Sequence, residues 1–142
     1  MTGAADLDAM NDFLAEPRNA IVGGLRRDGR PHMTPNWFLW DGERFFVSIT
    51  RNRVKYRVFT NDSRVQLVVD DSTGFRYVVV DGTVAVSEDV DHGLSYFRDL
   101  RHKHGRTDQD EAQLRDEMVR DGRVLLMITP DKAQNEWPTL GF

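Results

Sequence analysis

The chain has 142 residues, 23 acids against 19 lysines and arginines, a net charge of −4, and no cysteine. The missing cysteines exclude a disulfide scaffold, a thiolate nucleophile and a thiolate metal site, and the acidic balance argues against nucleic-acid binding, which takes a basic face. No apolar run approaches the roughly 20 residues that span a bilayer, and the start lacks a signal-peptide pattern, so one domain over residues 1–142 in the cytoplasm, away from membranes, is expected.

In chain order, Asp6 caps a short amphipathic helix that carries Leu7, Met10 and Leu14 and stops at Pro17. Three β-rich runs follow, NAIVGGLRR, RPHMTPNWFLW and ERFFVSIT, separated by Asp28-Gly29 and Asp41-Gly42. Asp-Gly between apolar strands is a strong hairpin signal, because a type I′ turn needs positive φ at both central residues. Residues 19–49 are therefore expected to form a three-stranded meander. Residues 52–61 make either one short helix or an extended crossover. RVQLVVDD reads as a strand, and FRYVVVDGTVAVSE as a longer one with Gly82 at a bulge or bend. A helix over 90–104 turns Val90, Leu94 and Phe97, with either Leu100 or His104, to one face and ends at Gly105. Thr107 with Asp110 predicts a capping box for a second helix holding Leu114 and Met118. Asp121-Gly122 then turns the chain into the strand RVLLMIT, and Pro130 starts an irregular tail. Short antiparallel strands with brief helices point to a β-barrel, the helices at 90–120 packing on its outside.

The segment TRNRVKYRVF concentrates Arg51, Arg53, Lys55 and Arg57 in seven positions with no acid among them. The plain reading is a solvated surface whose aliphatic stems cover apolar neighbours. A second reading is a phosphate-bearing small ligand at a strand-to-helix turn, where Thr50, Asn52 and free backbone amides add donors. Like charges at i, i+4 destabilise a helix by roughly 0.2–0.5 kcal/mol per pair, and a bound phosphate reverses that sign. Nucleic acid or an acidic protein ranks third, since Asp62, Asp70 and Asp71 follow closely. His102 and His104 diverge at i, i+2 on a helix, so they read as a solvated helix end rather than a metal pair, and no metal is expected.

The stretch DGRPHMTPNWFLWDGERFFVSIT, the basic RNRVKYRVFTNDSRVQLVV and the later FRYVVVDGTVAV together resemble the split β-barrel flavin and deazaflavin proteins, the superfamily of pyridoxamine-phosphate oxidase. The likeness spans residues 10–130. DGRPHMTPNWFLWDG and MVRDGRVLLMITPDKA look most like the actinobacterial branch that uses coenzyme F420; FMN is the alternative. Val58-Phe59 departs from the asparagine-leucine common in relatives. The resemblance implies a mainly β split barrel that forms a homodimer, with the cofactor phosphate on Arg53 and Lys55 and Arg57 towards the cofactor tail. The ring would lie against His32, Thr34, Pro35 and Asn36 on one strand and Ser48, Ile49 and Thr50 on another, with Phe75, Arg76 and Tyr77 approaching from the second subunit. It implies hydride transfer from reduced F420 to a conjugated enone, lactone or quinone. Trp37, Trp40 and Trp137 read first as core or interface residues, and Trp37 and Trp137 alternatively as walls of a pocket for a small planar conjugated substrate, on which large rings stack. No side chain is expected to act as nucleophile or general acid. The remaining alternatives are FMN-dependent chemistry on the same barrel and a non-catalytic F420 carrier.

Overall fold

The computed structural model describes residues 4–142. The first helix, α1 (Leu7–Ala15), is capped by Asp6, whose carboxylate accepts from Ala9 N at 3.0 Å. Met10, Phe13 and Leu14 are its buried side chains, while Leu7 stays exposed. Strands β1 (Asn19–Leu25) and β2 (Pro31–Trp37) form the hairpin expected across Asp28-Gly29. Among the described residues, however, only glycines take positive φ, so neither Asp-Gly turn is type I′.

The expected meander does not form. The second run breaks at the fully buried Phe38. The two-residue strand β3 (Leu39–Trp40) pairs only with β4 (Phe45–Thr50). Next come α2 (Val54–Asn61), β5 (Arg64–Asp70), β6 (Tyr77–Ser87), α3 (Val90–Lys103), α4 (Glu111–Asp121) and β7 (Arg123–Pro130). The antiparallel sheet runs β2-β1-β5-β6-β7-β4-β3, so the two hairpins of the supposed meander stand at opposite ends. Pro31 and Pro35 explain part of this: lacking N–H groups, they suit an edge strand. The sheet curls so that the edges of β2 and β4 face each other without pairing. That gap is the split of a split β-barrel.

Alternation fills the interior. Val65, Leu67 and Val69 of β5, Val78, Val80 and Val84 of β6, and Val124, Leu126 and Ile128 of β7 join Phe45, Val47 and Ile49 of β4 in one core. Gly82 is no bulge, for the β5–β6 register runs unbroken through it. A Cβ there would meet the Thr129 carbonyl at 2.8 Å, so close packing of backbones explains the glycine. Outside the sheet α3 and α4 enclose a second cluster of Phe97, Leu114 and Met118. The capping box of α4 uses Asp110 and Gln113 rather than Thr107 and Asp110, one turn later than expected. The tail is not wholly irregular: a 3-10 turn at Gln134–Glu136 leads to β8 (Thr139–Leu140), which pairs with β6. No helix among the described residues is long and apolar enough to cross a membrane.

Candidate functional site

Because β2 and β4 do not pair, a cleft of about 300 Å³ opens between them, and the first turn of α2 and the start of β7 border it. Pro35 and Asn36 come from β2, Ser48, Ile49 and Thr50 from β4, and Arg53 and Lys55 from the basic segment. Seven residues singled out in the sequence thus meet in one place. The helical alternative for residues 52–61 is what brings them there. Val58 and Phe59 are buried, and a Cβ on Gly24 would come within 2.7 Å of both, so only glycine lets α2 seat so tightly on β1.

That seating sorts the four cations. Lys55 is 9% exposed, and its Nζ donates to Thr34 Oγ1 at 2.8 Å. Burial, and then the Arg53 charge, push its ammonium below the ordinary lysine value. Arg53 occupies the N-cap position of α2 without any side-chain cap; Tyr56 N donates to the Arg53 carbonyl at 3.1 Å, which leaves the Val54 and Lys55 amides available to an anion. Arg51 instead pairs with Glu88 at 2.6 Å, an acid that also accepts from Tyr56 Oη at 3.1 Å. Arg57 turns away and lines a separate open basin with Arg26, Arg27 and Asn61.

On β2, Asn36 presents its NH2 to Thr34 Oγ1 at 3.1 Å in the amide orientation that satisfies its neighbours. His32 lies two residues before Thr34 and pairs with Gly24. Burial, followed by the Lys55 and Arg26 charges, lowers its imidazole from the ordinary value, which favours the neutral ring. A second lobe of about 270 Å³ shares Pro35, Asn36, Ser48 and Arg123 with the cleft and adds Trp37, Phe97 and Arg101. Trp37 stacks on His104, with centroids 4.0 Å apart and planes 6° off parallel.

The helix end that carries His104 is therefore not solvated as expected. Lys103 Nζ donates to the carbonyls of Leu14 and Phe38 at 2.8 Å and lies 3.8 Å from the Phe38 ring centroid. Trp137 belongs elsewhere too. It is 6% exposed, packs on Trp40 and Phe45, and donates its indole N–H to Lys132 O, so it fills the core instead of walling the cleft. Phe75, Arg76 and Tyr77 do not line the cleft of their own chain. Phe75 projects with 74% exposure, and the Arg76 guanidinium sits over the rings of Phe13 and Phe142.

One site residue escaped the sequence reading. Arg123 opens β7 and stands opposite Thr50 in the β4–β7 register. Its sequence signal is only a cation after an Asp-Gly turn, and without the strand pairing nothing connects it to residue 50.

The sequence profile of the pyridoxamine 5′-phosphate oxidase family matches residues 7–136. The chain belongs to the pyridoxamine 5′-phosphate oxidase family. Membership places it in a flavin-binding oxidoreductase family, on the split-barrel fold seen here. Among solved structures it is similar to an F420 reductase at 25% identity, covering 86% of this chain and 93% of that one with a TM-score of 0.70. The conserved hypothetical protein Rv2991 from Mycobacterium tuberculosis matches at 20% identity, TM-score 0.80, over 97% of this chain and 85% of its own. The heme storage protein HutZ from Vibrio cholerae shares the fold at 15% identity and TM-score 0.66, over 95% and 94% of the two chains.

A phosphate-bearing flavin or deazaflavin fits the donor set. Three cations, Arg53, Lys55 and Arg123, border a cleft that no carboxylate among the described residues lines, and two of them are partly or wholly withdrawn from water. Among the described residues no cluster of three His, Asp or Glu groups suits a metal ion.

Proposed function

We propose that this protein is an F420-dependent reductase that delivers hydride to an activated C=C bond of a conjugated enone, lactone or quinone. The observation that carries the reading is the buried Lys55 beside Arg53 at an uncapped helix start, in a family whose structural relatives include an F420 reductase. Arg53 and Lys55 hold the cofactor phosphate. Thr34, hydrogen-bonded to Lys55, fixes the ammonium so that little side-chain entropy remains to be lost on binding. His32, Pro35 and Asn36 on one edge and Ser48, Ile49 and Thr50 on the other hold the ring plane between them. When bound, the reduced deazaflavin supplies a hydride to an electron-poor carbon.

The chain's own task is orientation and exclusion of water. Trp37, braced by His104, walls the acceptor lobe and suits a flat conjugated molecule. Arg57, in its separate basin, faces the cofactor tail. In a homodimer, Phe75, Arg76 and Tyr77 of a second copy close the cleft from outside, which accounts for the exposed Phe75.

FMN chemistry on the same barrel is the second reading, favoured by the oxidase family to which the chain belongs. Direct titration decides between them. F420 is expected to bind more tightly than FMN, and reduced F420 to be oxidised when an enone or quinone is added. Tighter FMN binding would move the protein to the flavin branch. F420 binding without turnover across a broad acceptor panel would make it a carrier.

A further inference from the structure

The Arg123 guanidinium has no assigned role, and its surroundings give it one. It lies where the cleft and the inner lobe meet, lining both. Its Nε is buried without a hydrogen-bond partner, and its guanidinium carbon is 5.4 Å from the Phe97 ring centroid. The nearby acids are otherwise engaged. Glu117 accepts from Arg101, and Asp121 pairs with Arg120 at 3.2 Å. Among the described residues no carboxylate lies within ion-pair distance of Arg123. Burial moves this guanidinium down from its ordinary value, with Asp121 and Glu117 opposing. A buried N–H left unpaired is costly, and a guanidinium is built to grip an oxyanion through parallel donors.

We infer that Arg123 is an oxyanion receptor, binding a carboxylate or phosphate group of a ligand that lies across the junction of the two lobes. Two sources share that chemistry. A carboxylate-bearing acceptor seated against Trp37 would reach Arg123 from the inner lobe, and a phosphate held by Arg53 and Lys55 would reach it from the cleft. Carboxylated planar acceptors would then be preferred over their neutral analogues if the first source holds. The inference shares its site with the proposed reductase but does not depend on which cofactor binds.

Small probes test it without any cofactor. Benzoate and inorganic phosphate are titrated separately into the full chain while the Arg123 Nε–Hε resonance is followed by nitrogen-15 NMR, the peak being identified by its loss in Arg123→Lys. At least one anion is expected to shift that resonance saturably. Arg123→Gln should weaken the same binding by roughly tenfold or more, as loss of a charged hydrogen bond implies, with Arg123→Lys retaining part of it. Benzoate binding that survives Lys55→Ala marks the substrate source, and phosphate binding that Lys55→Ala also weakens marks the cofactor source. If neither anion moves the resonance, or both bind Arg123→Gln as well as the wild type, the receptor role is wrong. The wild-type titration alone decides the matter should Arg123→Gln fail to fold. Failure of F420 turnover would leave this result standing.

Discussion

The outer helical face and the barrel cleft treat their cations in opposite ways. On α3 and α4, Arg101 pairs with Glu117, Arg115 with Asp91, Arg98 with Asp99 and Arg120 with Asp121. In the cleft, Arg53, Lys55 and Arg123 line a space that contains no acid. Acids are not scarce in a chain with a net charge of −4. Their absence from one concave place therefore marks where a negative charge from outside belongs. The exposed pairs among these, Arg98–Asp99, Arg115–Asp91 and Arg120–Asp121, add little stability, while Arg101–Glu117 is largely buried. The unneutralised cations of the cleft, one of them buried, cost stability until a ligand arrives. A third treatment lies between the two. Lys103 is satisfied by backbone carbonyls, which fasten the end of α3 to α1 and to the break at Phe38.

The strongest way to break this comparison is Lys55→Ala. Losing a charged hydrogen bond to the cofactor phosphate should cost about 1.5–3 kcal/mol of binding, roughly tenfold to a hundredfold in Kd. The fold should persist, since Thr34 is left beside a cleft open to water. An unchanged Kd in Lys55→Ala and in Arg53→Ala alike would remove the phosphate site. Next in size is Gly24→Ala, whose Cβ meets Phe59 and Val58 at 2.7 Å. Overpacking there should lower stability by about 1–3 kcal/mol in urea titrations. It should also weaken cofactor binding, because α2 carries Lys55. An unaltered urea midpoint would show that α2 is not pinned to β1.

Lys103 sharpens the contrast through pH. Burial, and then the Arg18 charge, lower its pKa to about 8 from an ordinary 10.5. The unfolded chain therefore holds this proton where the folded chain has lost it, and stability should rise with pH between those two values. Below pH 8 both states hold it and the penalty is complete. In Lys103→Met that upward slope should flatten in thermal unfolding curves taken across the interval, leaving the smaller share that Lys55 adds; an identical slope would rule Lys103 out as a source. The smallest effect is expected at Arg51. Its exposed pair with Glu88 lies outside the cleft, so Arg51→Ala should leave cofactor affinity as it is. A loss comparable with that of Lys55→Ala would mean that the segment binds as a diffuse patch.

Much of the fold was legible because it depends on local chemistry. Apolar, β-branched runs bounded by turns marked β5, β6 and β7, Asp6 marked the start of α1, and Asp28-Gly29 marked the first hairpin. The capping box was displaced because Thr107 and Asp110 satisfy the same spacing rule as Asp110 and Gln113, and only backbone geometry chooses between them. The meander failed for a different reason. Nothing within RPHMTPNWFLW announces that Phe38 will be buried at a corner while its neighbours join opposite ends of the sheet.

The site divides along the same line. By itself the sequence determined that an acidic chain carries an acid-free basic turn directly after a β-strand, with the family's strand motifs before it. Tertiary structure alone decided which cation does what: Arg51 to Glu88, Arg57 to a separate basin, Arg53 and Lys55 to the cleft. It also moved Trp137 into the core and brought in Arg123, 70 positions beyond Arg53. The physical reason is that charge and periodicity are properties of neighbours along the chain. A cleft is a property of two strand edges that fail to pair, and those edges meet only when the sheet curls.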